Sequence, residues 1–295
     1  MKKLIVNKKY DGKKLNKVLL DNIPNLSFGL FCNTLRKKDI KINGKRVNKD
    51  ILVQEGDEIL VYISDDLLNN KNSINLNIVY EDNNILVINK PSNIEVTGNN
   101  SLTDFVQNHY KDSDFKPMPC HRIDRNTTGL VLYAKNSTSL DILLDKFKKH
   151  EIGKHYLALV YGIPNVKYMR MESYLFKDNK KSRVYISDTP KKGYVKIITS
   201  FSVLEKRPDN TSLLDVQIET GKTHQIRAHL AHLGFPIIGD GKYGKNDINK
   251  KFNAKHQLLC SYKLQFNFKT DSGILNYLNS KSITLETCNF MLNVL

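Results

Sequence analysis

The sequence predicts an α+β protein: a mixed, largely antiparallel sheet with helices inserted between its strands, preceded by a small module of helices and a β-hairpin. Three observations carry this. From residue 76 onward, short runs rich in Val, Ile, Leu and Tyr are bounded by Asn, Asp, Gly and Pro. Helical spacing occurs only in isolated segments, without the regular strand–helix alternation of a parallel-sheet protein. The length, 295 residues, suits two domains, and an Asn-rich polar stretch at 65–75 separates a basic N-terminal part from the strand-rich remainder. The expected division is a module over 1–64, a linker over 65–75 and a larger domain over 76–295.

Within the first part, Leu15, Val18, Leu19 and Ile23 have helical spacing, with Pro24 as a stop. A second helix is expected over 28–37. Asp39-Ile40-Lys41-Ile42-Asn43-Gly44-Lys45-Arg46-Val47 alternates apolar and polar residues around Asn-Gly, a strong hairpin signal. Glu55-Gly56-Asp57 turns the chain into a strand over 58–63. In the second part, Ile78-Val79-Tyr80 and 85–89 form a hairpin about Asp82-Asn83-Asn84, closed by Lys90-Pro91. A short helix carries Leu102, Phe105, Val106 and His109, and 130–134 is a buried strand. Ser137 is the expected N-cap of an amphipathic helix with Leu140, Leu143, Leu144 and Phe147 on one face. Strands follow at 154–161 and 213–218, then a helix over 223–233 that stops at Gly234. The tail after Asp271 has no readable motif.

Charge narrows the partner. Forty-six Lys and Arg against thirty Asp and Glu give +16. Residues 1–64 alone carry +7, nearly half the excess in about a fifth of the chain. A polyanion, nucleic acid above all, is the expected partner. Only eight of the cations are Arg, so a position that uses Arg points to a need for its planar fork. No run of about 18 apolar residues exists to span a membrane, and the N-terminus lacks the apolar core of a signal peptide. Cys32, Cys120, Cys260 and Cys288 fit no zinc, redox or disulfide spacing. A soluble, cytoplasmic protein with no membrane partner is expected.

The densest polar constellation is His121-Arg122-Ile123-Asp124-Arg125-Asn126-Thr127-Thr128-Gly129-Leu130, between the Pro117/Pro119 turn and an apolar strand. An Asp in a hydroxyl-tied loop, beside arginines, is a candidate nucleophile or base, and equally the centre of a salt-bridged structural loop. Two rival chemistries are weak. Cys120-His121 is not a nucleophile pair, because adjacent residues in an extended chain point apart. His224, His229 and His232 do not share a helix face and gather no carboxylate, so they are read as helix-start and capping residues, not metal ligands.

The decamer resembles the signature of the RluA-type pseudouridine synthases, His-Arg-Leu-Asp-x-x-Thr-Ser-Gly-Leu, with Ile123 for Leu and Thr128 for Ser. Asn89-Lys90-Pro91 is similar to the family's Asp-Lys-Pro turn. Lys154-His155-Tyr156-Leu157-Ala158-Leu159-Val160 is similar to its Lys-x-Tyr-x-Ala-x-Val strand. Gly221-Lys222-Thr223-His224-Gln225-Ile226-Arg227-Ala228-His229 and Ile237-Ile238-Gly239-Asp240-Gly241-Lys242-Tyr243-Gly244 follow in the right order, so the resemblance covers about 76–270. Over about 14–63, Leu35-Arg36-Lys37-Lys38-Asp39-Ile40-Lys41-Ile42-Asn43-Gly44-Lys45 with Glu55-Gly56-Asp57-Glu58-Ile59 resembles the RNA-binding module named after a small-subunit ribosomal protein, the S-four module.

These resemblances imply an enzyme that isomerises uridine to pseudouridine in structured RNA, with no cofactor and no metal, because nothing is oxidised and no group is imported. They imply Asp124 as the carboxylate that acts on the nucleotide and Arg227 as its ion-pair partner. Tyr156 would stack on the base and take the C5 proton. Arg122 would fill the space left by the flipped base or hold phosphate, while His121 braces the loop. Lys154 and Ile226 would line the substrate pocket. Arg36, Lys37, Lys38, Lys41, Lys45 and Arg46 would hold RNA through phosphates. The appended module points to the branch acting on large-subunit (23S) ribosomal RNA, with tRNA as the alternative substrate. A non-catalytic rRNA-binding or ribosome-assembly protein would be the alternative of a different class. The chain is expected to act as a monomer.

Overall fold

The computed structural model describes residues 1–64, 68 and 75–288. It divides into two compact units, Met1–Ile74 and Asn75–Leu295. Most of the stretch read as a linker, 65–67 and 69–74, lies outside the described residues.

In the first unit, strands β1 (Lys2–Ile5), β2 (Ile40–Ile42), β3 (Lys45–Val47) and β4 (Glu58–Val61) form an antiparallel sheet in the order β1-β4-β2-β3. Helices α1 (Leu15–Asn22) and α2 (Phe28–Arg36) pack on it through a core that includes Leu15, Leu19, Phe31, Ile40 and Ile59. The hairpin turns at Asn43 and Gly44, both at positive φ, as an Asn-Gly pair allows. Leu68, which the sequence pattern assigns to the polar linker, is buried in this core.

The second unit is built on an eleven-stranded sheet, counted among the described residues. Its strands are β5 (Ile78–Glu81), β6 (Ile85–Lys90), β7 (Met118–Pro119), β8 (Thr128–Ala134), β9 (Ile152–Tyr161), β10 (Tyr168–Asp178), β11 (Arg183–Ser187), β12 (Val195–Lys206), β13 (Thr211–Ile218), β14 (Leu259–Phe266) and β15 (Ser282–Thr284). The order is β11-β10-β12-β13-β9-β14-β8-β6-β5, with β15 beside β14 and β7 beside β8. Among the described residues, only the β8–β14 pairing is parallel. Helices α3 (Leu102–His109), α4 (Ser137–Lys148), α5 (Gln225–His232) and α6 (Asn246–Lys251) interrupt the strand sequence, so the class is the α+β one that the sequence predicts. The N-cap of α4 is Asn136, not Ser137: its carboxamide oxygen accepts from the Ser139 N–H at 2.8 Å, and its amide reaches Asn84. The tail adds a 3-10 helix (Gly273–Leu278) that buries Leu275 and Leu278 beside β8 and β14 residues.

The register at the centre of this sheet places the site. Tyr156 on β9 lies opposite Ser261 on β14, and Ser261 lies opposite Gly129 at the start of β8. Gly129 has φ +104°, and a Cβ there would stand 2.2 Å from the Ser261 carbonyl oxygen. Backbone cannot yield as a flexible side chain does. Gly129→Ala is therefore expected to lower stability by roughly 2–4 kcal/mol, from strained φ and steric overlap together. Urea denaturation would measure it, and an unchanged midpoint would refute this account of the glycine.

Candidate active site

The segment between β7 and β8 carries Asp124 on a loop held from several sides. Lys90 at the end of β6 is fully buried, and its ammonium donates to the carbonyls of Pro91 (2.8 Å), Ile94 (2.9 Å) and Arg125 (2.9 Å). Burial pulls its pKa down to about 7, against the opposing pull of the Asp124 carboxylate. Arg125 donates to the Asn93 carbonyl, the Thr127 N–H to the Asp124 carbonyl, and the Gln257 amide to the Thr127 hydroxyl. Thr128 donates to the Leu259 carbonyl at 3.4 Å. These bonds hold the Asp124 backbone in a defined loop, while its side chain stays about one quarter exposed (26%).

Arg227 on α5 reaches Asp124 from across the sheet. Its Nη1 donates to Asp124 Oδ2 at 2.8 Å. Its Nε and Nη2 form a two-pronged bond with Asp240, at 2.7 and 3.0 Å. Asp240 is fully buried and also accepts from the Lys242 and Tyr243 N–H groups. Burial alone would raise its pKa, but the Arg227 guanidinium and these N–H donors more than offset that, and the carboxyl is held below its ordinary value. One guanidinium thus uses one edge on a fixed anchor and a remaining N–H on Asp124, a geometry that a lysine lacks. The ring of Tyr243 lies beneath it, 5.4 Å from centroid to Cζ. Sequence reasoning places Asp240 in a motif but gives it no role. A signal is present, an Asp between glycines after an apolar pair, but its partner is 13 residues away and only folding makes them meet.

The loop before α5 is fastened as well. Buried Gln225 accepts from the Lys222 N–H and the Thr220 hydroxyl, and donates to the Ile198 carbonyl and the Thr199 hydroxyl. His224 adopts a left-handed conformation, φ +53°, and its Nδ1 meets the Tyr243 hydroxyl at 2.9 Å. His229 sits between Thr199 and Ser173, and His232 meets Asp188. The three histidines therefore have three separate sets of partners. Cys120 is buried, and burial pushes its thiol up to about 12, far from a nucleophile's range.

A cavity of about 380 Å³ opens in front of Asp124, a size common for small-molecule sites. It brings together seven residues singled out from the sequence: His121, Arg122, Asp124, Lys154, Tyr156, Ile226 and Arg227. Tyr156 is 5% exposed, and burial, then the Asp124 carboxylate, raises its pKa above the ordinary phenol value. At neutral pH it is a neutral phenol, suited to stacking; to accept the C5 proton it would first have to lose its own. Arg122 is exposed at the cavity. Ile226 is buried in its wall. His121 Nε2 accepts from the Leu132 N–H at 3.1 Å, which ties the loop to β8, and its ring lies 5.0 Å from Phe147. Burial, then the Lys154 charge, lowers its pKa to about 3, so at neutral pH it is an uncharged brace. Sequence reasoning gives no role to Lys177 and Lys222, both exposed, which also line the cavity.

The cations Arg36, Lys37, Lys38, Lys41, Lys45 and Arg46 all lie in the first unit, on the C-terminal end of α2 and on the β2–β3 hairpin. All but Lys41 are exposed, and Lys41 rests over the Tyr62 ring at 5.3 Å. None has a carboxylate partner among the described residues. No helix among those residues is long and apolar enough to cross a membrane, and none of their His, Cys, Asp and Glu side chains cluster as a metal site would require.

Four similarities to known proteins bear on this site. Residues 84–232 match the family described as RNA pseudouridylate synthase. An uncharacterized RNA pseudouridine synthase of Mycoplasma capricolum is 35% identical, covering 96% of this chain and 97% of its own. A ribosomal large subunit pseudouridine synthase C of Buchnera aphidicola (subsp. Baizongia pistaciae) is 32% identical, covering 89% and 88%. Among solved structures, human RNA pseudouridylate synthase domain containing 4 has the same fold, with a TM-score of 0.60 at 20% identity, over 73% of this chain and 90% of that one.

Proposed function

Since the chain belongs to the RNA pseudouridylate synthase family, we propose that it converts specific uridines of large-subunit (23S) ribosomal RNA to pseudouridine, with Asp124 as the acting carboxylate. The observation that carries this reading is the cavity in which Asp124, held at 2.8 Å by an Arg227 itself anchored on Asp240, shares a wall with Tyr156. The uridine leaves its stack, at a cost of a few kcal/mol that is least in single-stranded loops, and its ribose approaches Asp124. The C1′–N1 bond breaks with Asp124 adding to the sugar or assisting elimination. The freed uracil turns against Tyr156 and C5 bonds to C1′, releasing Asp124 where it had added; the C5 proton passes to a base or water, and N1 takes up a proton in its place. Atoms and oxidation state are conserved, so the chemistry calls for no cofactor. Arg122 takes the space or the phosphate left by the flipped nucleotide.

The substrate assignment draws support from the relatives named for the large ribosomal subunit and from the basic first unit. In this reading that unit is an S-four-type module whose α2 end and β2–β3 hairpin grip folded RNA by its phosphates. Deleting residues 1–64 is then expected to weaken RNA binding and to flatten the slope of log K against log salt, by about 0.7–0.9 for each phosphate no longer neutralised. An unchanged slope in filter-binding titrations would count against the role.

The test of the whole reading is tritium release from 5-tritiated uridine in 23S, 16S and tRNA transcripts. Release from 23S RNA is expected. Release from tRNA alone would overturn the ribosomal assignment.

A further inference from the structure

The cations of the cavity are unequally occupied. Arg227 is spent on two carboxylates. Arg122, Lys177 and Lys222 are exposed, where a phosphate backbone would meet them. Lys154 differs. It is partly buried, lines the cavity two residues before Tyr156 on the same strand face, and has no carboxylate partner among the described residues. Its Nζ lies over the Phe147 ring at 5.3 Å, and a Cβ added at Gly221 would stand 3.4 Å from it. Burial, with no acid to oppose it, lowers its pKa.

His121 stands beside it. Its Nε2 accepts from the Leu132 N–H, so the neutral ring carries its proton on Nδ1. That Nδ1 is shut off from solvent, and so from a ligand oxygen as well. Lys154 is therefore the unspent, partly buried cation that the cavity offers.

We propose that Lys154 Nζ receives a carbonyl oxygen of the flipped uracil and stabilises the base as an anion when the C1′–N1 bond breaks. The proposal deepens the function proposed above and rests on it. When the bond breaks, its electron pair stays on N1, and the charge spreads onto O2 and O4. No proton need be transferred to the base at that step. A fixed cation, partly buried in the cavity wall, suits a single delocalised charge. It also suits a ring that must turn before C5 bonds to C1′, because O2 and O4 exchange places in that turn and either can accept from it. A phosphate would be better served by the exposed cations of the same cavity.

The test uses single-turnover kinetics of the full chain on RNA carrying uridine or 5-fluorouridine at the target. Fluorine withdraws electrons and stabilises the departing anion, so it reduces the need for Lys154. Lys154→Met is expected to slow the uridine reaction about 10²–10³-fold, the usual effect of losing one such donor, with RNA affinity within about threefold of wild type. On 5-fluorouridine RNA, read as loss of the N-glycoside after nuclease digestion, the defect should shrink at least about tenfold. Lys154→Arg should keep the wild-type ratio of the two rates. If Lys154→Met does not fold, Lys154→Gln replaces it with the same expectation. An equal defect on both substrates, or a loss confined to RNA affinity, overturns the proposal while leaving the enzyme's function standing. A wild type that converts uridine in no RNA overturns that function as well, and the wild-type reaction alone reveals it.

Discussion

Asp124→Asn is expected to release no measurable tritium, a fall of about 10³-fold or more as for other lost nucleophiles, while RNA affinity stays within a few-fold of the wild type. The two quantities separate because they rest on different groups. Affinity is summed over many phosphates, whereas turnover passes through one carboxylate. The fold should survive, because Arg227 loses one bond at 2.8 Å but keeps its two-pronged anchor on Asp240 at 2.7 and 3.0 Å. Asn also preserves the shape of the side chain, about one quarter of which is exposed. Parallel loss of binding and turnover in filter-binding and tritium assays would mean that Asp124 builds the site and does not act in it.

The second large effect falls on Asp240, and it has the opposite character. Asp240→Ala leaves a buried guanidinium without its anchor and strips the Lys242 and Tyr243 N–H groups of an acceptor. Removing one partner of a buried ion pair costs about 3–5 kcal/mol. Activity should fall as well, by about 10²-fold, because an Arg227 free to move no longer fixes the position of Asp124. Urea denaturation and tritium release together would show this. Wild-type stability in the variant would contradict the assigned anchor. The pH dependence follows from the lowered pKa of Asp240. Its folded value lies below the unfolded one of about 3.9. Its contribution is therefore complete above that pH and is lost as pH falls through the folded value. The stability gap between wild type and variant should be constant near neutrality and narrow below about pH 4.

Local features of the sequence anticipate much of this molecule. The Asn43-Gly44 turn, the helical spacing of Leu140, Leu143, Leu144 and Phe147, and the apolar run at 130–134 each encode an element within a few residues, because side-chain period and turn chemistry are local properties. The motif order is enough to single out Asp124, Tyr156 and Arg227, and to show that Arg stands where Lys is the usual cation. The cap of α4 lies one position before the residue that the pattern suggests, since Asn136 and Ser137 are both good caps and only the backbone angles decide between them.

The α+β class and the family are therefore legible in the chain, together with the polar residues proposed for the site. Which of them meet is a matter of the folded arrangement. It inserted β14 between β9 and β8, so that Ser261 lies against both Tyr156 and Gly129. It gave Arg227 its second carboxylate, Asp240, and gave Lys90 three carbonyls to hold beneath the Asp124 loop. Among the described residues, it left Lys154 in the cavity wall without a carboxylate. Charge pairing, desolvation and strand order depend on segments more than a hundred residues apart, and no local pattern encodes the distance between them.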